Sequence, residues 1–188
     1  MGQAIVLTEA DVKKVLSIIA IGNHAARNRI AFLLSVQAGM RVGEISKLAV
    51  GNVLNDDGSV LREIKLTAEQ TKGNKGRVVY LSDKLQRELA TYIKTLPRTH
   101  PSFPLVYSQR RYAHFSNVTL CMLFKSFYAQ AGLRNSSHAG RRTFATKLNA
   151  KGVGMRTIQM LMGHRNIGTT ALYCDVSDET LRNAVSLL

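Results

Sequence analysis

The sequence predicts a mostly helical α+β chain carrying one small antiparallel sheet within a single domain, residues 1–188. Three observations predict it. Apolar residues recur at three- and four-residue spacing along most of the chain, as helices with one buried face require. Alternation replaces that pattern in one place, between Val60 and Leu81, on either side of a glycine-bearing turn. A length of 188 residues with 45% hydrophobic content supports one core and excludes general disorder.

Each element has its own signal. Thr8, ahead of Glu9 and Asp11, reads as an N-cap, and Val12, Val15, Leu16 and Ile19 follow at helical spacing. A second helix is expected from His24 to Ala38, with Ile30, Leu33 and Leu34 inward and Gly39 just past its end. A short helix follows over Gly43–Leu48. Val60, Ile64 and Leu66 then mark one strand, and residues 78–81 a second, joined through the turn at Thr71–Gly76. Helical spacing resumes over Asp83–Thr95, with Leu85, Leu89, Tyr92 and Ile93 on one face. Pro97, Pro101 and Pro104 mark a surface loop. It is not a domain boundary, because neither flank is long enough for a core of its own. Ser116 caps a helix that ends at Gly132, and His138–Lys151 forms another, closed by Gly152. A short helix carries Ile158, Leu161 and Met162 up to Gly163, and a last one spans Asp178–Leu187 behind Ser177.

Charge narrows the partner. The formal net charge is +14, and the sequence pI is ≈ 10.2. Between Glu88 and Asp175 there are 12 lysines and arginines and no acidic residue. A surface built for solubility alone intersperses both signs, so this half is expected to face a polyanion. Membrane-surface helices pair a basic face with a large apolar one. Here the charges are spread over several segments and Trp is absent. Nucleic acid is therefore the expected partner, not lipid. No apolar run approaches the roughly 18 residues of a membrane span, and the N-terminus has no signal-peptide pattern. Cys121 and Cys174 are too few for a disulfide scaffold and too isolated for zinc; they read as packing residues. A cytoplasmic, nucleoid-associated protein is expected.

Several reactive side chains fall at suggestive places. His138 and Arg141, three apart on a predicted helix, project from one face. Arg41 opens a helix, with Glu44 one turn on. Lys72 sits at the hairpin tip, His164 follows Gly163, and Tyr173 comes nine residues later. Taken singly, each has an ordinary reading as a surface, capping or packing residue. Together, two arginines, two histidines, a lysine and a tyrosine suit a cage around one phosphodiester. Lys75, Arg77, Arg110, Arg111, Arg142, Lys147 and Arg165 read equally well as DNA backbone contacts and as solvated charge.

Four segments carry a resemblance: residues 38–45 (AGMRVGEI), 71–81 (TKGNKGRVVYL), 138–146 (HAGRRTFAT) and 161–173 (LMGHRNIGTTALY). In this order and with these gaps they resemble the tyrosine recombinases, the phage-type integrases. The resemblance implies that Arg41 and Arg141 clamp the non-bridging phosphate oxygens, a task suited to the permanently charged, planar guanidinium fork. It makes Tyr173 the nucleophile that forms a 3′-phosphotyrosyl bond, and Lys72 the acid that protonates the departing 5′-oxygen. It assigns His138 to proton transfer with the tyrosine, His164 to a hydrogen bond on the same phosphate, and Glu44 to bracing the site. A free phenol, with a pKa near ~10, is only about one-thousandth ionised at neutral pH. Clustered cations both favour the phenolate and absorb charge growing at phosphorus.

No metal or other cofactor is expected. The second half lacks the carboxylates that hold Mg²⁺, the phosphodiester-to-phosphotyrosine exchange conserves the bond type, and no Walker-type loop is present for ATP. The resemblance further implies monomers that assemble on DNA as a homo-tetramer, with accessory DNA-bending or directionality proteins as further partners. The stripe Leu181, Val185 and Leu188 fits either such assembly or packing on the chain's own core. The separate N-terminal DNA-binding domain usual in the family is expected to be absent. Gly140 stands where a bulky apolar residue is usual, at a helix cost of about 1 kcal/mol, and Arg142 and Asp175 stand where many relatives have histidine. The expected function is site-specific recombination by integration, excision or inversion. The alternatives are a catalytically idle DNA-binding accessory module and a DNA-relaxing enzyme of the type IB topoisomerase kind. The Gly163–His164 step ahead of Tyr173 favours the recombinase, and the complete six-residue set argues against the idle module.

Overall fold

Thr8 ends the extended N-terminal segment and starts α1 (Glu9–Ile21). Its hydroxyl accepts from the Asp11 backbone N–H, while the Asp11 carboxylate accepts from the Thr8 backbone in return. This capping box occupies two donors that a helix start otherwise leaves open. The computed structural model describes residues 4–71 and 74–173, together with 181, 182, 185 and 186. Its contacts divide the chain into two compact units, residues 1–144 and 145–188.

In the first unit α1 is followed by α2 (Ala25–Ala38), α3 (Val42–Ile45) and a 3-10 turn at Val50–Asn52. Strands β1 (Glu63–Leu66) and β2 (Arg77–Tyr80) then pair antiparallel, with Ile64 opposite Val79 and Leu66 opposite Arg77. After α4 (Asp83–Ile93) come β3 (Tyr107–Ser108) and β4 (Ala113–His114), which form a second two-stranded sheet, and then α5 (Asn117–Gln130). Helix α6 (Ala139–Ala150) begins in this unit. The core gathers around α2, where the Phe32 ring lies 6.4 Å from Phe124 and 6.3 Å from Tyr128 on α5. In the second unit α7 (Met155–Met162) and α8 (Ile167–Ala171) follow, with Ile158 and Met162 buried.

The mostly helical class and the β1–β2 hairpin match the expectation, with the following differences. The β3–β4 hairpin was not expected, because two-residue strands are too short to show alternation. Helix α8 was not expected either. Its Gly-Thr-Thr stretch has no apolar period, and the helix starts because the Asn166 side chain accepts from the Gly168 N–H. Val60 forms an isolated bridge with Leu54 instead of opening β1. Helix α2 exceeds its expected stripe, burying Arg27, Asn28 and Ser35 as well as its apolar residues. Most of the helix expected over Asp178–Leu187, with Ser177, Cys174 and Asp175, falls outside the described residues. Among the described residues no helix is long and apolar enough to cross a membrane.

Candidate active site

Helix α2 ends at Gly39, whose φ of +63° allows the left-handed turn that closes a helix. A Cβ there would stand 2.5 Å from the Phe144 ring of α6. The carbonyl oxygen of this residue accepts a hydrogen bond from Arg141 Nη1, also on α6. Two residues later Arg41 caps α3. One glycine corner thus places both candidate phosphate-clamping arginines in the first unit.

Glu44, on α3, is 1% exposed and accepts four hydrogen bonds. Its Oε2 takes the Arg41 backbone N–H at 2.8 Å and Arg77 Nη2 at 2.7 Å. Its Oε1 takes Arg41 Nη1 at 2.8 Å and Arg77 Nε at 3.1 Å. Burial alone would raise this carboxyl's pKa. The hydrogen bond and charge of Arg77, the charge of Arg141 and the Arg41 backbone bond outweigh burial and lower it to about 2. A single carboxylate therefore stays ionised among three guanidinium groups.

Arg41 and Glu44 border a cleft of about 360 Å³, lined also by Lys47, Thr71, Asn117 and His138, among others. His138 is exposed, and its backbone N–H donates to Ser136 Oγ just ahead of α6. Gly140 answers the question its position raised. A Cβ there would stand 2.5 Å from Ser35 Oγ and 2.9 Å from Val36 Cγ1. The residue next to Arg141 is a glycine because α6 and α2 touch there.

The second unit brings His164 and Tyr173 together. Gly163 closes α7 with φ +59°, and His164 follows, its Nδ1 2.9 Å from Thr170 Oγ1. Tyr173 lies just past α8, and its backbone N–H donates to the Thr170 carbonyl. The rings of His164 and Tyr173 are 5.8 Å apart, centre to centre. Tyr173 is half-buried, and its carbonyl accepts from Thr146 Oγ1 at 3.2 Å.

Lys72 lies outside the described residues. Of the residues read as DNA contacts, Lys75, Arg110, Arg111 and Arg165 are exposed, while Arg142 and Lys147 are half-buried. Arg77 stands apart. Its side chain is 8% exposed and its fork is held by Glu44, which is at odds with a contact to the DNA backbone. The sequence offers no sign of this pairing across 33 residues. The reading also missed Lys47 in the cleft wall, whose Nζ donates to the Glu69 carbonyl at 2.6 Å. Among the described residues, no group of three or more His, Cys, Asp or Glu side chains gathers in a way that could hold a metal.

The phage integrase family model matches residues 6–180. The chain belongs to the phage integrase family, the tyrosine recombinases. It is 34% identical over 179 residues to the tyrosine recombinase XerA of Pyrococcus horikoshii, covering 95% of this chain and 59% of that protein. It is 33% identical to the tyrosine recombinase XerC of Caldanaerobacter subterraneus subsp. tengcongensis, covering 97% of this chain and 50% of that one. The chain thus spans between half and three-fifths of the length of these relatives. Among solved structures, the fold is similar to a crystal structure of XerA recombinase, with a TM-score of 0.74 at 23% identity over 100% of this chain and 64% of that one. It is equally similar to a Tn1549 transposon integrase in complex with a circular intermediate DNA, with a TM-score of 0.75 at 17% identity over 100% and 67%. At these identities the likeness shows a shared tyrosine recombinase fold.

Proposed function

We propose that this chain supplies the catalytic part of a site-specific recombinase, which cuts and rejoins double-stranded DNA through a 3′-phosphotyrosyl intermediate. The observation that carries the reading is the cleft in which a buried, ionised Glu44 holds Arg41, with Arg141 anchored alongside on Gly39. Ground-state DNA binding needs only exposed lysines and arginines. Arginines fixed by a buried carboxylate suit charge that grows during a reaction.

In this reading Tyr173 Oη attacks phosphorus. The O–P bond to tyrosine forms as the bond from phosphorus to the 5′-oxygen breaks. The phenolic proton passes to His138, and Lys72 supplies a proton to the departing 5′-oxygen. Arg41, Arg141 and His164 hold the phosphate oxygens. A hydroxyl on the incoming strand reverses the step, so the bond energy is conserved and no nucleotide cofactor is used. Lys75, Arg142, Lys147 and Arg165 supply contacts to the DNA backbone. The protein works on DNA in the cytoplasm, as monomers that assemble into a tetramer when two sites pair.

The test is incubation with nicked duplexes bearing candidate sites, followed by denaturing electrophoresis. A covalent protein–DNA adduct is expected, lost in Tyr173→Phe while the duplex still binds. An adduct that persists in that variant removes Tyr173 as nucleophile and moves attention to Tyr112, which is 49% exposed, since Tyr128 is fully buried. A wild-type protein that binds the duplexes and forms no adduct overturns the reading.

A further inference from the structure

Arg77 has the geometry of neither a DNA contact nor a solvated strand residue. It opens β2 opposite Leu66, five residues beyond Lys72. Its Nε and Nη2 grip Glu44 along both oxygens, whereas the Arg41 side chain reaches the same carboxylate through Nη1 alone. A carboxylate accepts about four hydrogen bonds, and Glu44 receives four. With its acceptors filled, it has no room for a second guanidinium nitrogen from Arg41. Among the described residues, Nε and Nη2 of Arg41 donate to no protein acceptor, and Arg41 lines the cleft.

We infer that Arg77 is a positioning residue: by occupying Glu44 with its bidentate fork, it limits Arg41 to one guanidinium nitrogen on that carboxylate and keeps the other donors of Arg41 for a phosphate. The inference rests on the recombinase reading for what Arg41 clamps. Without Arg77, a buried carboxylate with two empty acceptor sites draws in the nearest cation. Arg41 then turns its own fork onto Glu44, since the bidentate pair is the stronger arrangement, and withdraws donors from the cleft.

The experiment compares wild type, Arg77→Gln, Arg77→Lys, Arg41→Ala, Arg41→Ala/Arg77→Gln and Glu44→Gln/Arg77→Gln. Duplex affinity, melting temperature and single-turnover cleavage at saturating protein are measured for each. Arg77→Gln is expected to slow cleavage by about 100-fold, the scale of one misplaced charge-stabilising group, with affinity and its salt dependence unchanged. Arg77→Lys should recover only part of the rate, because a point charge cannot reproduce the fork. Adding Arg77→Gln to Arg41→Ala should cost no further rate. In Glu44→Gln/Arg77→Gln the melting temperature should recover while cleavage stays slow. A weaker affinity with a shallower salt slope and a normal saturated rate would make Arg77 a DNA contact and overturn the inference. So would rate losses that multiply in the Arg41→Ala background. One readout is independent of activity: the ¹⁵N guanidinium signals of Arg41 should shift in Arg77→Gln or Arg77→Lys, whichever folds, and unchanged signals overturn the inference. A wild type that forms no adduct would overturn the recombinase reading, while those signals would still decide the role of Arg77.

Discussion

Glu44 shows how one residue turns burial to use. An isolated carboxyl in the interior would favour its neutral form, but the surrounding guanidinium groups reverse that preference and lower its pKa from about 4.5 to about 2. Since the folded value lies below the unfolded one, the unfolded chain takes up the proton first as pH falls. The stability contributed by this ionised carboxylate is complete above about pH 4.5 and is lost as pH falls to about 2. We expect wild type to lose on the order of 3 kcal/mol through this group across that window, measured by thermal melting between pH 6 and pH 2. Glu44→Gln, which has no proton to take up there, should lack that component of the decline. It should also be less stable at neutral pH by about 3–5 kcal/mol, because Arg77 and Arg41 lose their shared partner. A variant with the same acid profile as wild type would show that Glu44 is not the group being titrated.

At the scale of elements, the contact between α2 and α6 governs where Arg141 stands. Helix α2 is buried nearly all round, as a helix at the centre of a core must be. It therefore leaves α6 only a close approach, and Gly140 permits it. Gly140→Ala improves helix propensity by about 1 kcal/mol, yet its Cβ would fall 2.5 Å from Ser35 Oγ and 3.0 Å from Ser35 Cβ. Overpacking of this kind costs about 1–3 kcal/mol. The expected outcome is a net loss of stability of roughly 1 kcal/mol in urea unfolding. Cleavage should slow disproportionately, since the displaced turn carries Arg141 and its bond to Gly39. A variant more stable than wild type, with normal cleavage, would show that the helices part freely. Much of this scale was legible beforehand. The Thr8 and Ser116 caps, the glycines that close α2 and α7, and the β1–β2 hairpin all follow from side chains within a turn or two of their effect. The β3–β4 hairpin and α8 were not legible, because neither is long enough to carry a period.

For the molecule as a whole, the net charge of +14 and the long acid-free stretch set the terms of binding. Each neutralised phosphate releases counterions, so affinity should fall steeply with salt. Six phosphate contacts would give a slope of about −5 in log K against log salt, from about −0.9 per phosphate. Equilibrium titration of a duplex between low and moderate salt measures it. A slope near zero would mean that this charge does not face DNA. Arg77→Gln should leave the slope unchanged, whereas removing exposed Lys75 should reduce it by about one.

The sequence by itself determined the longer helices of the first unit, the first hairpin, the charge and the family. Each is written locally or in composition: a cap acts within one turn, apolar spacing within one helix, and a motif within its own segment. Only the tertiary structure decided what those residues do for one another. Arg77 meets Glu44 across 33 residues, and Arg141 meets Gly39 across 102. Nothing in the neighbourhood of Arg77 distinguishes it from the exposed Lys75 two positions earlier. The physical difference is enclosure. A guanidinium withdrawn from water must find an acceptor, and which acceptor it finds depends on how helix and hairpin pack, an arrangement that no local pattern of residues records.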